Sequence, residues 1–167
     1  MKRISLALLT GALLMLGACG FQPLYATRDG NVSEALERVQ VSAIEQPDPA
    51  GWLLQRDLTS RLDPNARAAA PTHTLDVTLS ERRTRLGIQI DGSVTRFNYA
   101  LTGNFRLMDA ASGETVLSSR SVSIAAYNVV NSQFATLTAE KDARRKAAEQ
   151  LSADIELQLA LYFAKTE

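Results

Sequence analysis

One cysteine and one histidine are all that this 167-residue chain offers of the two side chains used most often for disulfides, soft-metal sites and acid–base catalysis. A lone thiol cannot close an intramolecular disulfide, so no cystine framework holds the fold. A lone histidine without a second thiol leaves the usual Cys/His zinc sets unavailable. No nucleophile motif accompanies that histidine, His73, so a Ser-His-Asp arrangement lacks its signature. The expectation is a packed or partly exposed side chain, no catalytic residues and no cofactor. An excess of either charge is missing too, with 18 Lys+Arg against 18 Asp+Glu. Without a global positive field, no nucleic-acid partner is expected, and any anion site must come from a local cluster. Long apolar runs are absent except near the start, where Ile4 to Leu16 extends for 13 residues. That falls short of the ~20 residues of a stable membrane span.

That short run is informative because of its flanks. Met1-Lys2-Arg3 precedes it and Leu16-Gly17-Ala18-Cys19 closes it. A basic start, a short apolar segment and small residues before a cysteine are the parts of a bacterial lipoprotein signal. Residues 1–18 are therefore expected to be a signal peptide and Cys19 the lipidated residue. Lipid on the thiol and on the new amino terminus would hold the chain on a membrane, facing the periplasm. One acyl chain alone anchors only marginally, whereas three anchor firmly. Gly20, where an Asp would favour inner-membrane retention, fits the outer membrane. From Cys19 onward the 149 residues carry 16 basic against 18 acidic side chains, a formal charge of −2. They suit one domain with one core.

Residues 19–35 read as the lipidated cysteine and a tether, punctuated by Pro23 and by Thr27-Arg28-Asp29-Gly30-Asn31. Val39, Val41 and Ala43 alternate with polar neighbours as a first strand. Asp48-Pro49 predicts a helix start, with a carboxylate cap and proline at the first helical position. Leu54, Leu58 and Leu62 then share one face, and Asp63-Pro64-Asn65 ends the helix. His73, Leu75, Val77 and Leu79 alternate in a second strand. Phe97, Tyr99, Leu101, Phe105 and Leu107 form a third, with Gly103 on the same parity as a bulge or close-packing point. Val116 to Tyr127 is a fourth. Asp91-Gly92 and Asp109-Ala110-Ala111-Ser112-Gly113 read as the hairpin turns between them. From about Gln133 to Ala164, Ala148, Leu151, Ile155, Leu159 and Tyr162 form a helical seam broadened by Leu157 and Leu161. The order β-α-β-β-β-α predicts an α+β fold over residues 36–167. Its four-stranded, mainly antiparallel sheet would carry two helices on one face.

Cys19-Gly20-Phe21-Gln22-Pro23-Leu24-Tyr25 resembles the mature start of the LptE family of lipopolysaccharide-assembly lipoproteins, in its alphaproteobacterial form. Tyr127-Asn128-Val129-Val130-Asn131-Ser132-Gln133-Phe134-Ala135 is similar to a second block, running into Ala139-Glu140-Lys141-Asp142-Ala143-Arg144-Arg145 and Ala147-Ala148-Glu149-Gln150-Leu151. The Asp91-Gly92 hairpin followed by Phe97, Asn98 and Tyr99 is a third. The resemblance implies a four-stranded sheet with two helices. It also implies a plug and assembly partner for the LptD β-barrel of the outer membrane, assisting lipopolysaccharide insertion into the outer leaflet without covalent chemistry. The alternatives are an auxiliary lipoprotein of another outer-membrane lipid-transport or envelope-assembly complex, and a lipid-anchored periplasmic hydrolase, which the missing motifs disfavour.

Two local clusters are candidate sites. Arg82, Arg83, Arg85 and Arg96 surround the Asp91-Gly92 hairpin, and guanidinium groups bind phosphate through paired hydrogen bonds. They are candidates for lipopolysaccharide binding, against a solvated hairpin or contacts to a barrel wall. Tyr127, Asn128, Asn131 and Phe134 lie in an Asn-rich, largely uncharged stretch. They are candidates for partner contact, against a structural strand-to-helix turn capped by Asn131 or Ser132. Arg144, Arg145 and Lys146 read as an ordinary charged helix surface, because Glu140 and Asp142 stand four residues before Arg144 and Lys146. Trp52 reads as core or helix-surface packing.

Overall fold

A computed structural model describes residues 30–44, 49–63, 70–88 and 94–166. Cys19, the signal segment, Asp48 and the Asp91-Gly92 turn lie outside the described residues. Helix α1 spans Gly30–Glu37, strand β1 Val39–Val41, helix α2 Pro49–Leu62 and strand β2 His73–Ile88. Strands β3, Val94–Asp109, and β4, Thr115–Asn128, follow, and helix α3, Gln133–Thr166, ends the chain.

The sheet has the order β1-β2-β3-β4. β2 and β3, and β3 and β4, pair antiparallel over most of their length. β1 pairs parallel with β2, Val39 opposite His73 and Val41 opposite Leu75. The sheet is thus mixed, which corrects the mainly antiparallel expectation. The chain leaves β1, passes through α2 and re-enters beside β1 in the same direction, as a helical crossover requires. A second correction concerns the helices, which number three among the described residues. The additional one, α1, begins within the stretch read as a tether. Its eight residues bury only Val32 and Leu36, four apart. Two apolar positions behind a Gly-Asn pair are too little pattern to distinguish a helix from a loop.

α2 forms as its sequence dictates, with Pro49 first and Leu54, Leu58 and Leu62 buried on one stripe. Trp52 lies on the opposite side, 63% exposed, under the Arg56 guanidinium at 4.9 Å. α3 has 34 residues, a length of about 51 Å. The 16-residue strands β2 and β3 are about 53 Å long, so one helix can run along the sheet from end to end. Its buried seam is Ala147, Leu151, Ile155 and Leu159, closed by Phe163 rather than Tyr162. Leu157 and Leu161 are each 43% exposed and do not broaden the core. His73 is partly buried, edge-on to Phe163 at 5.2 Å, with Thr72 Oγ1 3.0 Å from its Nδ1.

Alternation assigns the two faces of the sheet. Leu75, Leu107 and Leu117 share a row, as do Val77, Phe105 and Ser119, then Leu79, Gly103 and Ser121. This is the face that α3 covers, and Gly103 lies beneath Leu151: a Cβ built there would meet Leu151 Cδ2 at 3.2 Å. On the same face, Ser119, Ser121 and Ser123 of β4 donate to Gln158 Oε1, Asp154 Oδ2 and Gln150 Oε1 of α3, at 2.5, 3.4 and 3.2 Å. Every second strand residue advances about 6.7 Å and every fourth helix residue about 6.0 Å. Three rungs therefore stay in step with a drift of about 1.4 Å. Among the described residues the opposite face is mostly Thr, Ser, Asn and Arg, with Val122 and Ile124 exposed on β4.

Candidate functional site

Along β2 the register changes character beyond Leu79. The helix-side row continues as Glu81, Arg83 and Arg85, opposite Leu101, Tyr99 and Phe97. Apolar positions give way to charged ones where α3 approaches its own amino end. The result is a groove of about 800 Å³, lined by residues 82–85 of β2, Phe97 of β3, Tyr127 and Val129 at the end of β4, and Thr136 and Glu140 of α3. Phe97 and Tyr127 stack at its floor, ring centroids 5.6 Å apart and planes 13° from parallel.

The four candidate arginines are not one cluster. Arg83 and Arg85 share the helix-side face; Arg82 and Arg96 belong by register to the open face, Arg82 opposite Ala100 and Arg96 opposite Asn128. Arg82 still reaches the groove rim, whereas Arg96 does not line it. Arg83 Nη1 lies 3.1 Å from Glu140 Oε1, and Arg144 Nη2 lies 3.3 Å from the same oxygen. Below them Tyr99 is fully buried, with the Arg144 guanidinium 5.7 Å from its ring centroid. Burial first, and Glu81 next, drive the Tyr99 phenol far above the ordinary tyrosine range, against the opposing pull of Arg144. Its hydroxyl has no hydrogen-bond partner of full geometry. Tyr127 is also raised, by burial and then by the Glu140 carboxylate, with Arg83 and Arg144 opposing. Both phenols are therefore neutral at physiological pH and supply ring surface, not charge.

The second candidate cluster divides as well. Tyr127 is buried in the groove floor, while Asn128, Asn131 and Phe134 are exposed, Phe134 at 80%. The turn between β4 and α3 is self-contained. Ser132 Oγ caps α3 by accepting the Ala135 amide at 3.3 Å, and Thr136 Oγ1 both accepts from the Val130 amide and donates to its carbonyl. The Arg144-Arg145-Lys146 run is internally paired, as expected of a charged helix face. Arg145 meets Asp142 and Glu149, and Lys146 meets Asp142 at 2.9 Å. Lys146 first, then Arg145, holds the Asp142 carboxyl below its usual range.

Glu140 is the groove residue that sequence reasoning missed. Its spacing from Arg144 marks it as a helix-surface partner, and nothing local signals that it also meets Arg83, 57 positions earlier. Among the described residues no group of three side chains could hold a metal ion. Nor is any described helix long and apolar enough to cross a membrane.

Fold and site together define a class: a small mixed-sheet α+β domain that presents an open, basic, aromatic-floored groove. The fold is one that bacterial lipoproteins share. A putative lipoprotein from Caulobacter crescentus superimposes with a TM-score of 0.68 at 24% identity, over 80% of this chain and 96% of that one. The rare lipoprotein B of Shewanella oneidensis gives 0.53 at 17% identity, over 72% and 90%. A minor lipoprotein of Acinetobacter baumannii gives 0.54 at 17% identity, over 74% and 88%. A search of curated protein sequences finds no match. The model of the LptE lipopolysaccharide-assembly family matches residues 36–159, and the chain belongs to that family. It is a family of non-enzymatic lipoproteins.

Proposed function

We propose that this protein is the lipoprotein subunit of the outer-membrane lipopolysaccharide translocon. It would be held at the membrane by lipid on Cys19 and act as plug and assembly partner of the LptD β-barrel. The family match over residues 36–159 carries the reading. The sheet face opposite α3 supports it, since its Thr, Ser and Asn suit the largely polar lumen of a large barrel. Residues 1–18 serve as the signal peptide, and the domain from residue 36 is the plug.

Lipopolysaccharide binds, in this reading, at the groove end of the sheet. Arg82, Arg83 and Arg85 meet its phosphates, and the Phe97–Tyr127 stack offers apolar surface beside them. Arg96 contributes from the open face. Asn128, Asn131 and Phe134 project from the same end and contact the barrel. The decisive experiment is affinity purification of the full chain from outer membranes. A stoichiometric large β-barrel partner is expected; recovery of the chain alone, or with an unrelated complex, refutes the assignment. Depletion supplies a second readout, since loss of the subunit should trap lipopolysaccharide in the periplasm and leave LptD misassembled.

A further inference from the structure

Glu140 is the one carboxylate lining the groove among the described residues. A single oxygen of it serves two cations from different elements, Arg83 of β2 and Arg144 of α3, at 3.1 and 3.3 Å. The Glu140 side chain is 20% exposed and that of Arg144 18%, but that of Arg83 is 58% exposed. The carboxylate thus sits at the inner wall, and the arginine it holds faces outward into the groove. Arg82 and Arg85, on the same strand, have no carboxylate partner among the described residues. Among the described residues the groove therefore contains two kinds of arginine, Arg82 and Arg85 without a carboxylate partner and Arg83 already paired with Glu140.

We infer that Glu140 determines the specificity of this groove by acting as an internal counter-ion that an incoming anion must displace from Arg83. The inference rests on the reading of the groove as an anion site. A phosphomonoester carries about −1.5 to −2 charge at neutral pH and three acceptor oxygens. It outbids a singly charged carboxylate for a guanidinium. A monoanion offers Arg83 no more than Glu140 already does, so it gains only the two outer arginines. Displacement does not strand Glu140, because Arg144 stays four residues away on the same helix. Nor does it require the helix to move, because the side chain that exchanges partners, Arg83, is itself 58% exposed. A pair with one member open to water is weakly held, so the exchange is open to a dianion.

The test uses the full chain in detergent, titrated with neutral micelles doped either with phosphatidic acid, a phosphomonoester, or with an alkyl sulfate, a fixed single charge. The native chain should prefer the phosphomonoester. Glu140→Gln should raise alkyl-sulfate affinity about two- to fivefold and raise phosphatidic-acid affinity less, so that the preference shrinks. Glu140→Ala, checked for an unchanged circular dichroism spectrum, should behave alike and separates charge removal from any new amide contact. An unchanged preference in both variants, while Arg82→Gln/Arg85→Gln weakens binding, overturns the role of Glu140 and leaves the groove reading intact. If the double arginine variant binds both micelles as the native chain does, the groove reading fails and this inference with it.

Discussion

Gly103 and Leu151 make the sharpest quantitative prediction about how this fold is held. Leu151 is fully buried at the middle of the α3 seam, and its Cδ2, Cδ1 and Cγ would lie 3.2, 3.6 and 3.7 Å from a Cβ at position 103. Ordinary carbon contacts lie near 3.5–4.0 Å, so an alanine would press on Leu151 by a few tenths of an ångström. Against that, replacing a strand glycine relieves an entropic cost of about 0.5–1 kcal/mol. Gly103→Ala should therefore be nearly neutral, within about 1 kcal/mol. Gly103→Val adds two methyls beyond a Cβ already in tight contact with Leu151 and should cost about 1–3 kcal/mol by overpacking. Leu151→Ala should cost about 2–5 kcal/mol through lost burial and the cavity left behind. In the double variant the valine methyls enter the space Leu151 vacates. Its loss should then be smaller than the two single losses together by at least ~1 kcal/mol, a coupling typical of residues in contact. Urea unfolding followed by far-ultraviolet circular dichroism reads all four stabilities. Additive losses, agreeing within ~0.5 kcal/mol, would falsify the picture of a glycine slot under Leu151.

Three further outcomes follow from the same geometry. Replacing Arg82, Arg83, Arg85 and Arg96 by Gln should lower lipopolysaccharide binding and flatten its salt dependence; unchanged binding at low salt removes the site. Asp109 accepts from the Ser112 amide at 2.7 Å and from the Ala111 amide at 3.0 Å, and these bonds, Ser112 first, hold its carboxyl below the usual value. Its charge therefore contributes stability that is complete above the unfolded value near 3.9 and is lost as pH falls through the lower folded value. The urea midpoint of the native chain should exceed that of Asp109→Asn at pH 6 and converge on it near pH 2, and a constant gap across that range counts against the charge. Under the proposed plug role, a Cys19→Ala chain exported by a cleavable signal should still form some complex with LptD. Complete loss of the complex from a folded chain makes the anchor indispensable.

Most elements were legible because their patterns are local. Leu54, Leu58 and Leu62 are four apart, and burial follows that spacing wherever a helix forms. Leu75, Val77 and Leu79 alternate, so one sheet face had to be apolar. The Asp109–Gly113 turn was equally visible. An Asp at its head collects the next amides, and Gly113 takes the left-handed conformation at φ 72° that the turn needs. The position of Gly103 on the apolar parity marked a place of close approach, though not what approaches it. α1 stayed hidden because two buried residues in eight give no periodicity to count. The parallel pairing of β1 is set by the helical crossover before β2, which the local patterns of the other three strands do not signal.

The amino-acid sequence by itself determined that there is one cysteine and one histidine and the type and order of the long elements, and it carries the expectation of a lipoprotein signal. These depend on residues near one another in the chain. The tertiary structure decided where the basic residues lie and which of them are paired. Strand alternation sends Arg83 and Arg85 to one face and Arg82 and Arg96 to the other. Glu140 becomes a groove residue only because the amino-terminal part of α3 brings it to Arg83 of β2. Sequence distance carries no information about which charges will meet across 57 residues; packing of the α3 seam onto Gly103 and its neighbours fixes that register, and with it the groove.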